Sequence, residues 1–167
     1  MQKFKMTFFV SLLVFLTACG WHLRGQVDLP IALRILNLDA NAAEPLTENL
    51  IRQSLLSNGV TLSSDAPYTL KILGQSANRR VLSVTSNAKA SEYELSETLS
   101  FQLLNADNQA VSEELSVVSY RTLQYDANAE IGKAQEEANL RREMKQYNAY
   151  NVLLRLKGIK LTPTKVK

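Results

Sequence analysis

The chain has 167 residues, 46% hydrophobic and 21% charged, with six Gly and four Pro. That length and composition describe one ordinary globular domain with a real core, and exclude a disordered, collagen-like or repeat-built chain. One Cys and one His cannot form an internal disulfide or a Cys/His zinc site, so disulfide scaffolds, zinc fingers and thiol redox pairs are excluded together, and no metal is expected.

The formal charge of +3 belongs largely to the first eighteen residues, where Lys3 and Lys5 stand without an acid. Without them, 17 basic side chains face 16 acidic ones. The apolar run from Phe8 to Leu16 follows the two lysines as the hydrophobic core of a secretory signal follows its basic start. It is short for a membrane span, which needs about 20 residues. Leu16-Thr17-Ala18-Cys19 has the form of a bacterial lipobox; the competing reading is a plain Ala-type cleavage site with a chance Cys beside it. Residues 1–18 are therefore read as a lipoprotein signal peptide and Cys19 as the lipidated mature N-terminus. By similarity to bacterial lipoproteins, Cys19 would carry a diacylglyceryl group and an N-acyl chain, a durable anchor because two or more chains hold where one is marginal. Gly20 rather than Asp follows the Cys, which by the sorting rule of enteric-type lipoproteins implies the outer membrane, periplasmic face.

Residues 19–30, with Gly20, Gly25 and Pro30, read as a tether, 31–161 as a single domain and 162–167 as a polar tail. A short strand is predicted over 33–38. Pro45 at a first helical position, Leu46, Leu50, Ile51 and Leu55 at helical spacing, and a stop at Asn58-Gly59 predict a helix. Tyr68 to Leu73 reads as a strand, extending after a break to 81–84. From Tyr93 to Leu103 apolar and polar residues alternate, with only Glu97 spoiling the apolar face, the signature of a strand with one dry side. The Asn105-Ala106-Asp107-Asn108 cluster turns the chain, and 111–125 returns as its partner, with Val111, Leu115, Val117, Leu123 and Tyr125 on one face. From Asn128, a candidate cap, to Leu156 a long helix is expected, its apolar residues including Ile131, Ala134, Ala138, Met144, Tyr147, Leu153 and Leu154. The order β-α-β-β-β-α makes the fold class α+β, two helices on one face of a roughly four-stranded, largely antiparallel sheet.

Catalytic chemistry finds little support. His22 lies three residues from the lipidation site, where no pocket would enclose a general base. No GxSxG, P-loop, GxGxxG or HExxH is present, and Glu92, Glu94 and Glu97 read first as a strand's solvated face. No catalytic residue and no cofactor are expected. Charge is more informative: residues 131–167 carry nine basic against three acidic side chains, while 19–130 carry eight against thirteen. That asymmetry suits orientation against polyanionic lipid heads or a charged partner; the bland reading is a helix with a solvated face. The expected compartment removes nucleic acid as a partner.

The block Cys19-Gly20-Trp21-His22-Leu23-Arg24-Gly25 after a lipobox resembles the mature N-terminus of the LPS-assembly lipoprotein (LptE) family. Pro45-Leu46-Thr47, Ser57-Asn58-Gly59-Val60, Ser91-Glu92-Tyr93 and Arg142-Glu143-Met144 follow in the order of similar family segments. The resemblance implies a non-enzymatic protein that sits in the lumen of the outer-membrane β-barrel LPS translocon (LptD family), supports its assembly and contacts lipopolysaccharide. It also implies two helices on a four-stranded sheet. By position, Lys133 matches a family lysine implicated in LPS binding, though an ordinary surface lysine would look the same. Near Ser86 and Asn87, where the family has an arginine, this chain has none; Lys89 or the pair Arg79 and Arg80 are the nearby substitutes, and Lys offers a point charge where Arg offers a fork. The alternatives are an independent lipid-binding lipoprotein and a structural subunit of another envelope complex.

Overall fold

In the computed structural model, residues 27–126 and 129–161 are described. A single 3₁₀ turn, Ile31–Leu33, leads into β1 (Ile35–Asp39), then α1 (Pro45–Ser57), β2 (Thr61–Leu62), β3 (Tyr68–Val84), β4 (Ala90–Asn105), β5 (Leu115–Gln124) and α2 (Glu130–Lys157). The strands form one mixed sheet in the order β2-β1-β3-β4-β5. Strand β1 is parallel to both β2 and β3, because α1 carries the chain back along the sheet before the next strand begins, whereas β3, β4 and β5 are antiparallel. The α+β class is as the sequence predicts, with five strands instead of four. The added strand, β2, has two residues and no alternation of its own to betray it.

Helix α1 follows local rules at both ends. Pro45 occupies the first turn and Glu48 lies near the positive end of the helix dipole. At the other end Gly59 adopts φ +77°, its N–H donates to Leu56 O and the N–H of Val60 donates to Leu55 O, both at 3.1 Å. This 6→1 and 5→2 pair ends the helix as a Schellman motif. Asn58 adds a tether: its Oδ1 accepts from the Val27 N–H at 2.6 Å and its Nδ2 donates to Ser54 O at 2.8 Å.

The break expected within β3 is closed. The strand runs seventeen residues, because β4 supplies partners along its length and irregularities near Leu73 and Leu82 absorb the mismatched register. Conversely, β5 starts at Leu115, later than expected. Before it, the Ser112 side chain substitutes for a strand partner, its Oγ accepting from the Leu103 N–H at 3.0 Å. Beyond Ile72 the β3–β4 hairpin outruns β1, and its twelve further residues add about 40 Å at strand rise. Near its tip Val81, Leu82 and Val84 are exposed.

The helices and the sheet enclose a core built on Leu33, Leu36, Ile51, Leu55, Leu70, Phe101 and Leu103, all fully buried. A second, small cluster of Leu95, Leu123 and Met144 lies toward the hairpin tip, with Tyr93 and Leu140 against it. Between the two, polar groups occupy the seam. Glu97, the residue that interrupts β4's apolar alternation, is 1% exposed and receives Arg141 Nη1 at 3.1 Å, while its carbonyl accepts from Asn148 Nδ2 at 2.9 Å. Buried Ser119 is its cross-strand neighbour on β5.

Helix α2 contributes Met144, Asn148, Ala149, Val152, Leu153 and Leu156 to the interior. Five of the seven apolar residues picked out in it are instead exposed: Ile131 (90%), Tyr147 (50%), Leu154 (43%), Ala134 and Ala138. The buried stripe is set by which α2 residues meet the sheet, and the sheet is polar at Glu97 and Ser119, so apolarity alone misplaces it. Helix α2 is preceded by Ala129 without a side-chain cap; the expected cap Asn128 lies outside the described residues, as do Cys19, His22 and the tail 162–167.

Candidate functional site

Arg79 and Arg80 are consecutive on β3, so their side chains leave opposite faces of the sheet. Arg79 turns to the helix side. Its guanidinium carbon stands 3.6 Å above the Tyr93 ring centroid and 5.7 Å from that of Tyr125, while Nη1 donates to Glu137 Oε2 at 3.0 Å. The two tyrosines meet edge to face at 5.4 Å. Arg79 is thus held by a cation–π contact and an ion pair, which pin the hairpin to the first half of α2.

Lys133, in the early part of α2, reaches the same side. It borders a cavity of about 140 Å³ together with Arg79, Tyr125, Glu130 and Glu137. It also borders an open cleft of about 560 Å³ with Ser83, Ser91, Glu92 and Gln124. Its ammonium lies 2.8 Å from Glu136, one turn on. Hydroxyls line the cleft's wall: Ser83 and Ser91 share a 2.8 Å bond, and Ser83 donates to Glu92 at 2.9 Å. A lysine paired with one exposed carboxylate can exchange that partner for a phosphate at little cost, since exposed ion pairs contribute about 0–1 kcal/mol.

Arg80 faces the opposite way, with its Nε 2.6 Å from Glu94 Oε1. The shared hydrogen bond raises the guanidinium's pKa and lowers that of the carboxyl below the ordinary glutamate value. Lys89 sits in the exposed turn at the hairpin tip, where its N–H donates to Thr85 Oγ1 and its carbonyl accepts from the Thr85 N–H. Of the four basic residues singled out from the sequence, the fold brings Arg79 and Lys133 together and holds Arg80 and Lys89 apart from them.

Sequence reasoning missed Tyr93, Tyr125 and Glu137 as neighbours of these cations, since their meeting depends on α2 crossing the hairpin. The seam residue Arg141 was equally hidden. Burial lowers its pKa, and the hydrogen bonds to Glu137 and Glu97 outweigh that and raise it, so it remains a cation beside the buried carboxylate. The one available signal was Glu97 itself, an acid on the dry side of an otherwise regular strand.

This architecture occurs in solved structures of bacterial lipoproteins. A minor lipoprotein of Acinetobacter baumannii shares it at a TM-score of 0.68 and 24% identity, over 82% of this chain and 100% of that one. Uncharacterized lipoprotein B of Nitrosomonas europaea does so at 0.68 and 23%, over 83% and 91%. At these identities the likeness defines the fold alone: two helices on a mixed sheet, as found in proteins of that class. Sequence comparison goes further. The LptE family model, described as lipopolysaccharide-assembly, matches residues 31–156. The LPS-assembly lipoprotein LptE of Pectobacterium atrosepticum is 30% identical over 155 residues, 90% of this chain and 83% of that protein. Its counterpart from Yersinia pestis is 30% identical over 156 residues, 90% and 74%. The chain belongs to the LptE family, the lipoproteins of lipopolysaccharide assembly.

Proposed function

We propose that this chain is held by acyl groups on Cys19 to the periplasmic leaflet of the outer membrane. There it occupies the lumen of the β-barrel LPS translocon of the LptD family, supports that barrel's assembly, and contacts lipopolysaccharide on its way to the surface. The observation that carries the reading is the family match, which runs from the 3₁₀ turn through the last helix and so takes in every element that builds the site. Lys133 at a cleft edged by hydroxyls supplies a cation where a phosphate could be received.

An independent lipid carrier is less well supported. It would need an enclosed apolar cavity, whereas the spaces beside Lys133 are bordered by Arg79, Glu130, Glu137, Ser83, Ser91 and Glu92.

The test is to purify the tagged chain from detergent-solubilised outer membranes and identify what accompanies it in equal amount. One large β-barrel protein, lost from the membrane when this chain is depleted, is the expected result; a monomer bearing lipid and no protein partner would overturn the barrel reading. In the same preparation, Lys133→Glu should reduce captured LPS without lowering the melting temperature, because the side chain's ion pair is local to its own helix. An equal loss of stability would make Lys133 a structural residue.

A further inference from the structure

The helices cover one face of the sheet. The opposite face of β3, β4 and β5 carries a regular array of small polar side chains. Register places Asn78, Ser96 and Tyr120 in one cross-strand row and Arg80, Glu94 and Thr122 in the next row on the same face. The rows that continue it, Ser76-Thr98-Val118 and Gly74-Ser100-Ser116, are mostly hydroxyl-bearing. Among these residues Tyr120 is the outlier, an aromatic ring 57% exposed.

The first two rows form a concavity of about 440 Å³ lined by Asn78, Arg80, Glu94, Ser96 and Tyr120. Its chemistry is specific. The bond from Arg80 Nε to Glu94 Oε1 fixes a donor fork and an acceptor side by side. Among the described residues, neither the terminal guanidinium nitrogens of Arg80 nor the second oxygen of Glu94 has a further hydrogen-bond partner. Asn78 uses its Oδ1 on the Arg79 N–H at 2.8 Å, which leaves its amide N–H₂ available. The pair is neutral overall, so an anion would gain little and would meet the Glu94 carboxylate. A divalent cation would find a single carboxylate, already committed to an arginine. A flat protein wall would leave the hollow beside Tyr120 unfilled.

A polyhydroxy ligand answers all three points. Adjacent hydroxyls can accept from Arg80 and donate to Glu94 at once, and the C–H face of a pyranose can lie on the exposed ring, with a few placed polar groups fixing its orientation. We propose that this cleft is a saccharide subsite, with Tyr120 as its platform and the Arg80–Glu94 pair reading neighbouring hydroxyls. It rests on the lipopolysaccharide reading in that the sugar would be the glycan portion of that molecule, on the sheet face opposite Lys133 and Arg79.

The experiment uses the full mature chain and a deacylated, dephosphorylated core oligosaccharide from rough-type LPS, a probe with no phosphate for a basic cleft and no acyl chain. Saturation-transfer NMR should show contact to sugar ring protons. Tyr120→Ala should weaken binding about tenfold with the melting temperature unchanged, since the ring is exposed. Arg80→Gln, which removes only an exposed pair, gives a second variant with the same expected loss. No transfer in the parent chain, or transfer unaffected by both substitutions, overturns the subsite. Capture of intact LPS by the parent chain is read separately: LPS bound without the oligosaccharide removes this inference and leaves the proposed function standing, and the reverse removes that function's LPS contact instead.

Discussion

Glu97 shows how much a single side chain can decide. In the sequence it interrupts an alternation that otherwise makes 93–103 an obvious strand; in the fold it is a buried acid gripped by Arg141, which also donates to Glu137 and to the Asn78 carbonyl. Breaking a buried pair leaves an uncompensated charge, whereas replacing both partners by apolar groups of similar size is close to neutral. Arg141→Met should therefore cost about 2–3 kcal/mol in urea unfolding, discounted from the full buried value because Arg141 keeps some solvent contact. Glu97→Leu combined with Arg141→Met should recover most of that loss. A single-variant cost near zero would show that the carboxylate is solvated and that the seam is not a structural pair. The same pattern of hidden partnership applies to Arg79. Its pairing with Glu137 and Tyr93 could not be read from spacing, because the partners are 58 and 14 residues away in the chain.

At the scale of elements, the two helices differ in what holds them. Helix α1 is stopped by a glycine in the left-handed region, so its bounds were legible in the sequence; its inner face was legible only in part, since Ile51 and Leu55 are buried as expected while Leu46 is 40% exposed and the polar Thr47 takes the inward place one residue on. Helix α2 was legible as a helix but not in its orientation. Every residue it buries lies at or beyond Met144, and its first half is attached through Arg79–Glu137, Arg141–Glu97 and the small Leu95-Leu123-Met144 cluster. The buried Arg141–Glu97 pair lies at the end of this half, whereas the partly exposed Arg79–Glu137 pair that holds the helix nearer its start is weak and screened by salt. Amide exchange over 130–141 should accordingly outpace that over 144–156, and raising the salt concentration should widen the difference; uniform protection along the helix would contradict this account.

For the molecule as a whole, the ends of the fold have different surroundings. Val27, the first of the described residues, is hydrogen-bonded through its N–H to Asn58 at the C-terminal end of α1. The parallel register of β1 and β3 places that end beside the start of β3, while the hairpin tip lies at the other extreme. If the acyl groups on Cys19 are the main attachment, Cys19→Ala should appear in the soluble periplasmic fraction with its fold intact. Retention in outer-membrane fractions would instead identify protein contacts, such as those expected with the barrel, as the dominant anchor. The sequence by itself determined the α+β class and the sites of both helices and of the β4–β5 hairpin, because each is written in residues close together: periodicity, helix stops and turns are local physics. Only the tertiary structure decided that β3 runs unbroken beside β4, that β2 exists, that Glu97 is paired, and that Arg79 and Lys133 share a face while Arg80 looks away onto the hydroxyl-rich side. Those outcomes depend on register and on where α2 crosses the sheet, and both are settled by contacts between residues tens of positions apart.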